Sequence, residues 1–151
     1  MVQVQNILWL TDFSDDSTHA LAYARTLAAL CNTNLYLMHV IENPTSSIYG
    51  AVEGDYLAME ANAREKARAW LDDMAKELND LPNKEVVLRE GEVVREVINI
   101  EAEKAIGTVV LGTHGRTGLV HLLIGSVAEK VIRSVHCPVY VVRHPQRATV
   151  R

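Results

Sequence analysis

Short apolar runs alternate along the chain with longer stretches whose apolar residues recur every three or four positions. Five runs read as strands. They cover 5–10, centred on Ile7-Leu-Trp-Leu10, then 34–41, 85–89, 108–112, and 138–143, centred on Val139-Tyr-Val-Val142. The first, fourth and fifth are nearly all apolar, as a strand must be when both faces of its sheet are covered. The intervening stretches read as helices. The first spans 15–31, with Ser14 as N-cap, Asp15 and Asp16 in the first turn, and a stripe of Ala20, Leu21, Ala24, Leu27, Ala28 and Cys31. The second spans 55–81 with a stripe of Met59, Ala63, Ala67, Trp70, Leu71, Met74 and Leu78, read as core, and Pro82-Asn83 ends it. The third begins near Glu92, carries Val94, Val97, Ile98 and Ala105, and stops at Gly107. The fourth spans 127–135 with Ala128, Val131, Ile132 and Val135 on its apolar side.

Strict alternation of strand and helix predicts an α/β fold: one open parallel sheet, helices on both faces, right-handed crossovers. With 151 residues the chain fits a single domain, here 1–143, followed by a short tail over 144–151. The segment 42–54, with Pro44, Gly50 and Gly54 among polar residues, reads as a loop over the sheet edge.

Charge and composition narrow the partners. A formal net charge of −4 and the lack of any Lys/Arg cluster argue against nucleic acid. No apolar run reaches the roughly 20 residues of a membrane span, and no cleavable leader pattern is seen, so a cytoplasmic location is expected. Cys31 and Cys137, far apart in sequence, are expected as reduced thiols.

The richest motif is Gly112-Thr-His-Gly115, nine residues, then Gly125-Ser126, between the fourth strand and the fourth helix. Glycines there let a backbone approach a ligand, and a helix N-terminus supplies N–H donors suited to phosphate. Arg116, His114 and His121 can add positive charge. The loop is neither a Walker P-loop nor the Gly-x-Gly-x-x-Gly dinucleotide turn. A second polar turn, Thr11-Asp-Phe-Ser14, follows the first strand. Ligands of open α/β sheets sit at strand carboxyl ends where the winding reverses, so neighbouring first and fourth strands would place both turns on one crevice.

The pattern Gly-x2-Gly-x9-Gly-Ser, as Gly112, Gly115, Gly125 and Ser126, resembles the nucleotide-binding signature of the universal stress protein family, ATP-binding type. Ile7-Leu-Trp-Leu-Thr-Asp-Phe-Ser14, Leu37-Met-His-Val-Ile41 and Cys137-Pro-Val-Tyr-Val-Val142 are similar to its first, second and last strands. The resemblance implies a five-stranded sheet in order 3-2-1-4-5 and an adenine nucleotide, ATP or AMP. Leu10, Thr11 and Asp12 would lie at adenine and ribose, and Val40 would wall the base. Leu111, Gly112 and Gly115 would line ribose and phosphates, while Arg116, Gly125, Ser126 and Val127 would stand at the phosphates. Mg²⁺ or Mn²⁺ would ride on the phosphate oxygens with no direct protein ligand. Leu10 departs from the proline that family members often carry there. A homodimer through Val139, Tyr140, Val141 and Val142 is implied as well, since that strand is an edge without a charge to guard it.

Several of these residues have plainer uses. Asp12 can cap its own turn, Ser126 can be an N-cap, Arg116 can be a solvated surface residue, and His39 in its apolar strand reads as a packed histidine. His136-Cys137 lacks the spacing of a zinc site. The run 60–76 reads as a solvated helix face with i,i+4 pairing by Arg64 and Arg68. No catalytic constellation stands out. The Ser-Gly-Gly-x-Asp-Ser and His-x-Gly-His turns of related nucleotide-handling folds are absent, and no general base is evident beside the phosphates. The expectation is a nucleotide-responsive stress switch or sensor. The alternatives are a slow ATP hydrolase or phosphoryl-transfer enzyme, and a nucleotide-free dimeric interaction module.

Overall fold

The structure, a computed structural model, describes residues 4–42, 53–115 and 124–145, with side chains from 58 onward in the second of these segments. Arg116, His121, most of the 42–54 loop and the end of the tail lie outside the described residues.

Five strands, β1 (Asn6–Leu10), β2 (Leu35–Ile41), β3 (Lys84–Glu90), β4 (Ile106–Gly112) and β5 (Val139–Val142), form one sheet in the order β3-β2-β1-β4-β5. Every neighbouring pair is parallel, with Trp9 opposite Leu37 on one side and Val110 on the other. Between the strands run α1 (Asp15–Cys31), α2 (Glu53–Glu77), α3 (Val93–Glu103) and α4 (Ser126–Ser134).

Alternation along β1 divides the core. Ile7 and Trp9 pack with Ala20 and Ala24 of α1, Leu71 of α2 and Leu78 just past its end. Leu8 and Leu10 pack with Val97, Ile100, Ala128 and Val131 of α3 and α4. Helices α1 and α2 therefore cover one face and α3 and α4 the other, and the winding reverses between β1 and β4. Trp9 is fully buried, and its indole N–H donates to the Ser17 carbonyl at 2.8 Å. That bond pins the first turn of α1 beneath the carboxyl end of β1 while satisfying a buried donor.

The structure corrects several details. Gly107 does not stop α3; it lies inside β4, where an added Cβ would sit 2.8 Å from the Gln5 backbone nitrogen. The helix ends instead at Lys104 and Ala105, the latter at φ 48°. Helix α2 ends at Glu77, ahead of Pro82-Asn83. Its stripe is only partly core: Ala67, Leu71 and Leu78 are buried, whereas Met59 and Trp70 are 70% and 49% exposed. Cys31 is exposed at the end of α1, and Ile132 is exposed on α4. Arg68 pairs with Asp72 one turn on, but Arg64 reaches off its helix to Glu90 at the end of β3.

Candidate functional site

The β1–α1 turn is built by its own short side chains. Thr11, 3% exposed, extends the ladder by donating its N–H to Met38 O at 2.9 Å. Its hydroxyl accepts the Phe13 N–H and pairs with the Ser17 hydroxyl, both at 2.9 Å. Asp12 Oδ1 accepts the N–H and the hydroxyl of Ser14, at 3.0 and 2.5 Å. Ser14 in turn caps α1 by accepting from Ser17 N. This tight knot holds Phe13 at φ 63°, a left-handed conformation that costs on the order of 1 kcal/mol for a non-glycine residue. The Phe13 ring is thereby laid against His39 and Trp70, at centroid distances of 4.5 and 4.8 Å. His39 is anchored as well, its Nδ1 donating to Thr11 O at 2.7 Å.

On the other side of the switch point the chain leaves β4 through Thr113, whose N–H donates to Val142 O and whose carbonyl accepts from Gly125 N. Gly125 is the N-cap of α4 and brings no side-chain cap bond. Helices α1 and α3 are capped by Ser14 and by the Glu92 carboxylate. The first-turn amides of α4 receive no such cap from Gly125, and Ser126, Val127 and Ala128 line an adjacent cavity. Ser126 is thus the first helical residue and not the N-cap.

That cavity measures about 720 Å³, within the range of small-molecule sites. It lies across the carboxyl ends of β1, β2 and β4, between α2 on one side and α4 on the other. Leu10, Thr11, Asp12, Val40, Leu111, Gly112, Gly115, Ser126 and Val127 all line it. Gly125 supports it through Thr113, and Arg116 lies outside the described residues.

The glycines of the motif also serve packing, a use the motif alone does not show. A Cβ on Gly112 would sit 2.7 Å from the Asp16 carbonyl carbon, so this glycine lets β4 touch the backbone of α1. A Cβ on Gly115 would meet Asp12 Oδ2 at 2.5 Å, and one on Gly125 would meet Thr113 O at 3.0 Å. Their missing side chains serve close approach within the protein, and the cavity opens beside them.

Sequence reasoning missed the α2 wall of Ala63, Lys66, Ala67 and Trp70, and also Phe13, Ser17, Ile41, Glu42 and Val93. Trp70 sits on a helical apolar stripe, which reads as core whether or not a cavity lies beneath it. His39 is packed as expected, yet it also borders the cavity. A further group inside the glycine motif is the Asp16, Thr113 and His114 cluster. Thr113 donates to Asp16 Oδ2 at 3.2 Å, and His114 Nδ1 lies 3.0 Å from the Thr113 hydroxyl. Asp16 and Thr113 are buried, at 1% and 5% exposure, while His114 lines the cavity. Of the three residues expected to add positive charge beside the glycine loop, His114 therefore stands at this end of the cavity, while Arg116 and His121 lie outside the described residues.

His136 and Cys137 serve the frame. Their backbone N–H groups both donate to Glu101 Oε1 at 2.8 Å, fixing the entry to β5.

Residues 3–143 match the universal stress protein family. The chain belongs to that family. It is 32% identical over 139 residues to the universal stress protein MJ0531 of Methanocaldococcus jannaschii, covering 91% of this chain and 81% of that one. It is 27% identical over 156 residues to the universal stress protein MJ0577 of the same organism, covering 94% and 96%. A solved structure of MJ0577 superposes on this universal stress protein with a TM-score of 0.83 at 29% identity, over 95% and 98% of the two chains. A universal stress protein solved in complex with cAMP superposes with a TM-score of 0.63 at 25% identity, over 94% and 98%. Among the described residues no helix is long and apolar enough to cross a membrane.

Proposed function

We propose that this universal stress protein binds an adenine nucleotide, ATP or AMP, in the cavity at the β1/β4 switch point and acts as a nucleotide-responsive stress switch in the cytoplasm. The observation that carries this reading is the N-terminus of α4. Its first-turn amides, uncapped by Gly125, border a cavity of nucleotide size. The N–H groups of a helix's first turn and the positive end of its dipole suit a phosphate. The opposite end is apolar and aromatic, with Val40, Phe13, His39 and Trp70 offering surface to a flat base. Thr11 and Asp12 lie between the two ends. The relative solved with cAMP holds an adenine nucleotide on the same fold.

The cation fits the same reading. Among the described residues no three His, Cys, Asp or Glu side chains gather into a metal site. Mg²⁺ or Mn²⁺ is read as entering with the nucleotide, held by phosphate oxygens and water, as Mg²⁺ usually is. Bound nucleotide stabilises the folded chain by mass action and alters the surface offered to partners. One such partner is a second copy, pairing through the uncharged edge strand β5.

The test is to identify small molecules released from purified protein and then titrate ATP into the wild type, Gly115→Val and Ser126→Tyr. The reading expects an adenine nucleotide in the wild type and loss of binding in both variants. Equal affinity in all three, with each variant folded, overturns it.

A further inference from the structure

We propose that Lys66 of α2 is a specificity-determining residue, by which the cavity favours nucleotides carrying several phosphates over the monophosphate. This rests on the nucleotide reading above and deepens it, since that reading leaves ATP and AMP equal.

The turn of the helix fixes which way Lys66 faces. At about 100° per residue, Arg64 and Lys66 stand roughly 200° apart around α2. Arg64 pairs with Glu90 at the end of β3, an edge strand. Lys66 is therefore on the opposite flank, toward β1, and it lines the cavity. Trp70, one turn further along and also in the cavity wall, reaches Phe13 of the β1–α1 turn.

Lys66 also has no carboxylate beside it on the helix. The residues one turn away are Asn62, Ala63, Ala69 and Trp70. The other basic side chains of α2 are engaged: Arg64 with Glu90, Arg68 with Asp72 and Lys76 with Asp73. Among the described residues Lys66 makes no ion pair, and it is the one Lys or Arg that lines the cavity.

The acids nearby leave that charge available. Asp12 gives Oδ1 to the N–H and hydroxyl of Ser14. Glu129, in the first turn of α4, pairs with Arg133 at 3.2 Å. Glu42, exposed just past β2, borders the cavity and opposes an anion there, and Lys66 offsets it.

Two anion-attracting groups thus face one opening of about 720 Å³. The first-turn amides of α4 stand on one wall and the Lys66 ammonium on the other, and the two helices cover opposite faces of the sheet. A phosphate seated on the α4 amides is separated from α2 by the width of the cavity. Lys66 is then left to the phosphates beyond the first, which ATP has and AMP lacks. A lysine suits that task, because its compact charge on a flexible stem follows a phosphate chain without demanding one geometry.

Calorimetric titration of the full-length chain with ATP, AMP and adenosine, all with magnesium, tests this in the wild type, Lys66→Gln and Lys66→Arg. The wild type should bind ATP more tightly than AMP. Lys66→Gln should weaken ATP binding about fivefold, the size of one partly exposed charge contact, and change AMP and adenosine by less than about twofold. Lys66→Arg should keep the preference for ATP. The fall of ATP affinity with added salt should be shallower in Lys66→Gln than in the wild type. A packing role alone would move all three ligands together and leave the salt dependence unchanged. Equal losses for ATP and AMP, or an ATP affinity unchanged in Lys66→Gln, overturn the proposal alone, as does a wild type that does not favour ATP. Failure of the wild type to bind any of the three overturns the nucleotide reading, and this one with it. Lys66 is exposed, so its replacement leaves the core intact, and the wild-type comparison of ATP with AMP needs no variant.

Discussion

Phe13 and Trp70 meet edge to face in the wall of the cavity, ring centroids 4.8 Å apart and planes at 67°. One comes from a strained turn after β1 and the other from the middle of α2, so the contact joins the two elements that flank the aromatic end of the cavity. Trp70→Ala should separate binding from stability. Trp70 is half exposed, whereas its neighbour Leu71 is fully buried. Leu71→Ala should cost about 2–5 kcal/mol of stability and Trp70→Ala clearly less. Nucleotide affinity should fall on the order of tenfold in Trp70→Ala, the size of a lost aromatic contact. Chemical denaturation and ATP titration of both variants check this.

Gly112 and Gly115 should respond differently to the same alanine. At Gly112 the new methyl meets the backbone of α1, which cannot swing aside, so the cost should be about 1–3 kcal/mol or more. At Gly115 it meets the tip of the Asp12 side chain, which can move at the expense of its bonds to Ser14. Gly112→Ala should lower the melting temperature by several degrees, about 2–4 °C per kcal/mol for a chain of this size. Gly115→Ala should melt nearer the wild type and lose ATP affinity.

The edge strand gives a test of assembly. Tyr140 is exposed beside Tyr23 of α1, at a ring distance of 6.1 Å, while Val141 packs against the core. A lysine at Val141 would disturb the fold together with any interface, so Tyr140→Lys is the cleaner probe. If β5 pairs two copies, this variant should sediment as a monomer at concentrations where the wild type is a dimer, with its melting temperature little changed.

Glu101 ties a pH dependence to one thiol. Burial alone would raise its carboxyl, but the donors from His136 and Cys137 outweigh burial and hold it below the usual carboxylate range. A depressed folded-state value stabilises the fold above the unfolded value of about 4.3, and that stabilisation is lost as pH falls through the folded value. Glu101→Ala should therefore cost about 1–3 kcal/mol at neutral pH, with the gap to wild type closing below about pH 4. Burial and the adjoining Glu101 push the Cys137 thiol up to about 11. Alkylation near pH 8 should modify exposed Cys31 and spare Cys137, and mass spectrometry of tryptic peptides reads the difference.

The strands were legible because each is a compact apolar run bounded by polar turns, whereas their order in the sheet came only from the resemblance to the universal stress protein family. Ser14 was legible as a cap because short hydroxyl side chains before an acidic first turn have few other uses. The site was legible where its residues sit on motif turns, as Thr11, Asp12, Gly112, Gly115 and Ser126 do. It was opaque on α2, where Trp70 obeys helical periodicity whether it faces a sheet or an opening. The role of Gly112 was opaque for a different reason. A glycine that admits a ligand and one that admits a neighbouring helix look alike in sequence, and only the 2.7 Å approach to Asp16 separates them. Gly107 misled similarly, standing after a helix and yet serving contact with Gln5 inside β4.

The backbone contact between Gly112 and α1 bears on how such a protein diverges. A floor welded at that distance penalises any side chain there, which leaves more room for change in the α2 wall. There Ala63, Lys66 and Trp70 can be exchanged without unseating the sheet. Descendants of one ancestor would then retain an identical foundation while altering which molecule they recognise.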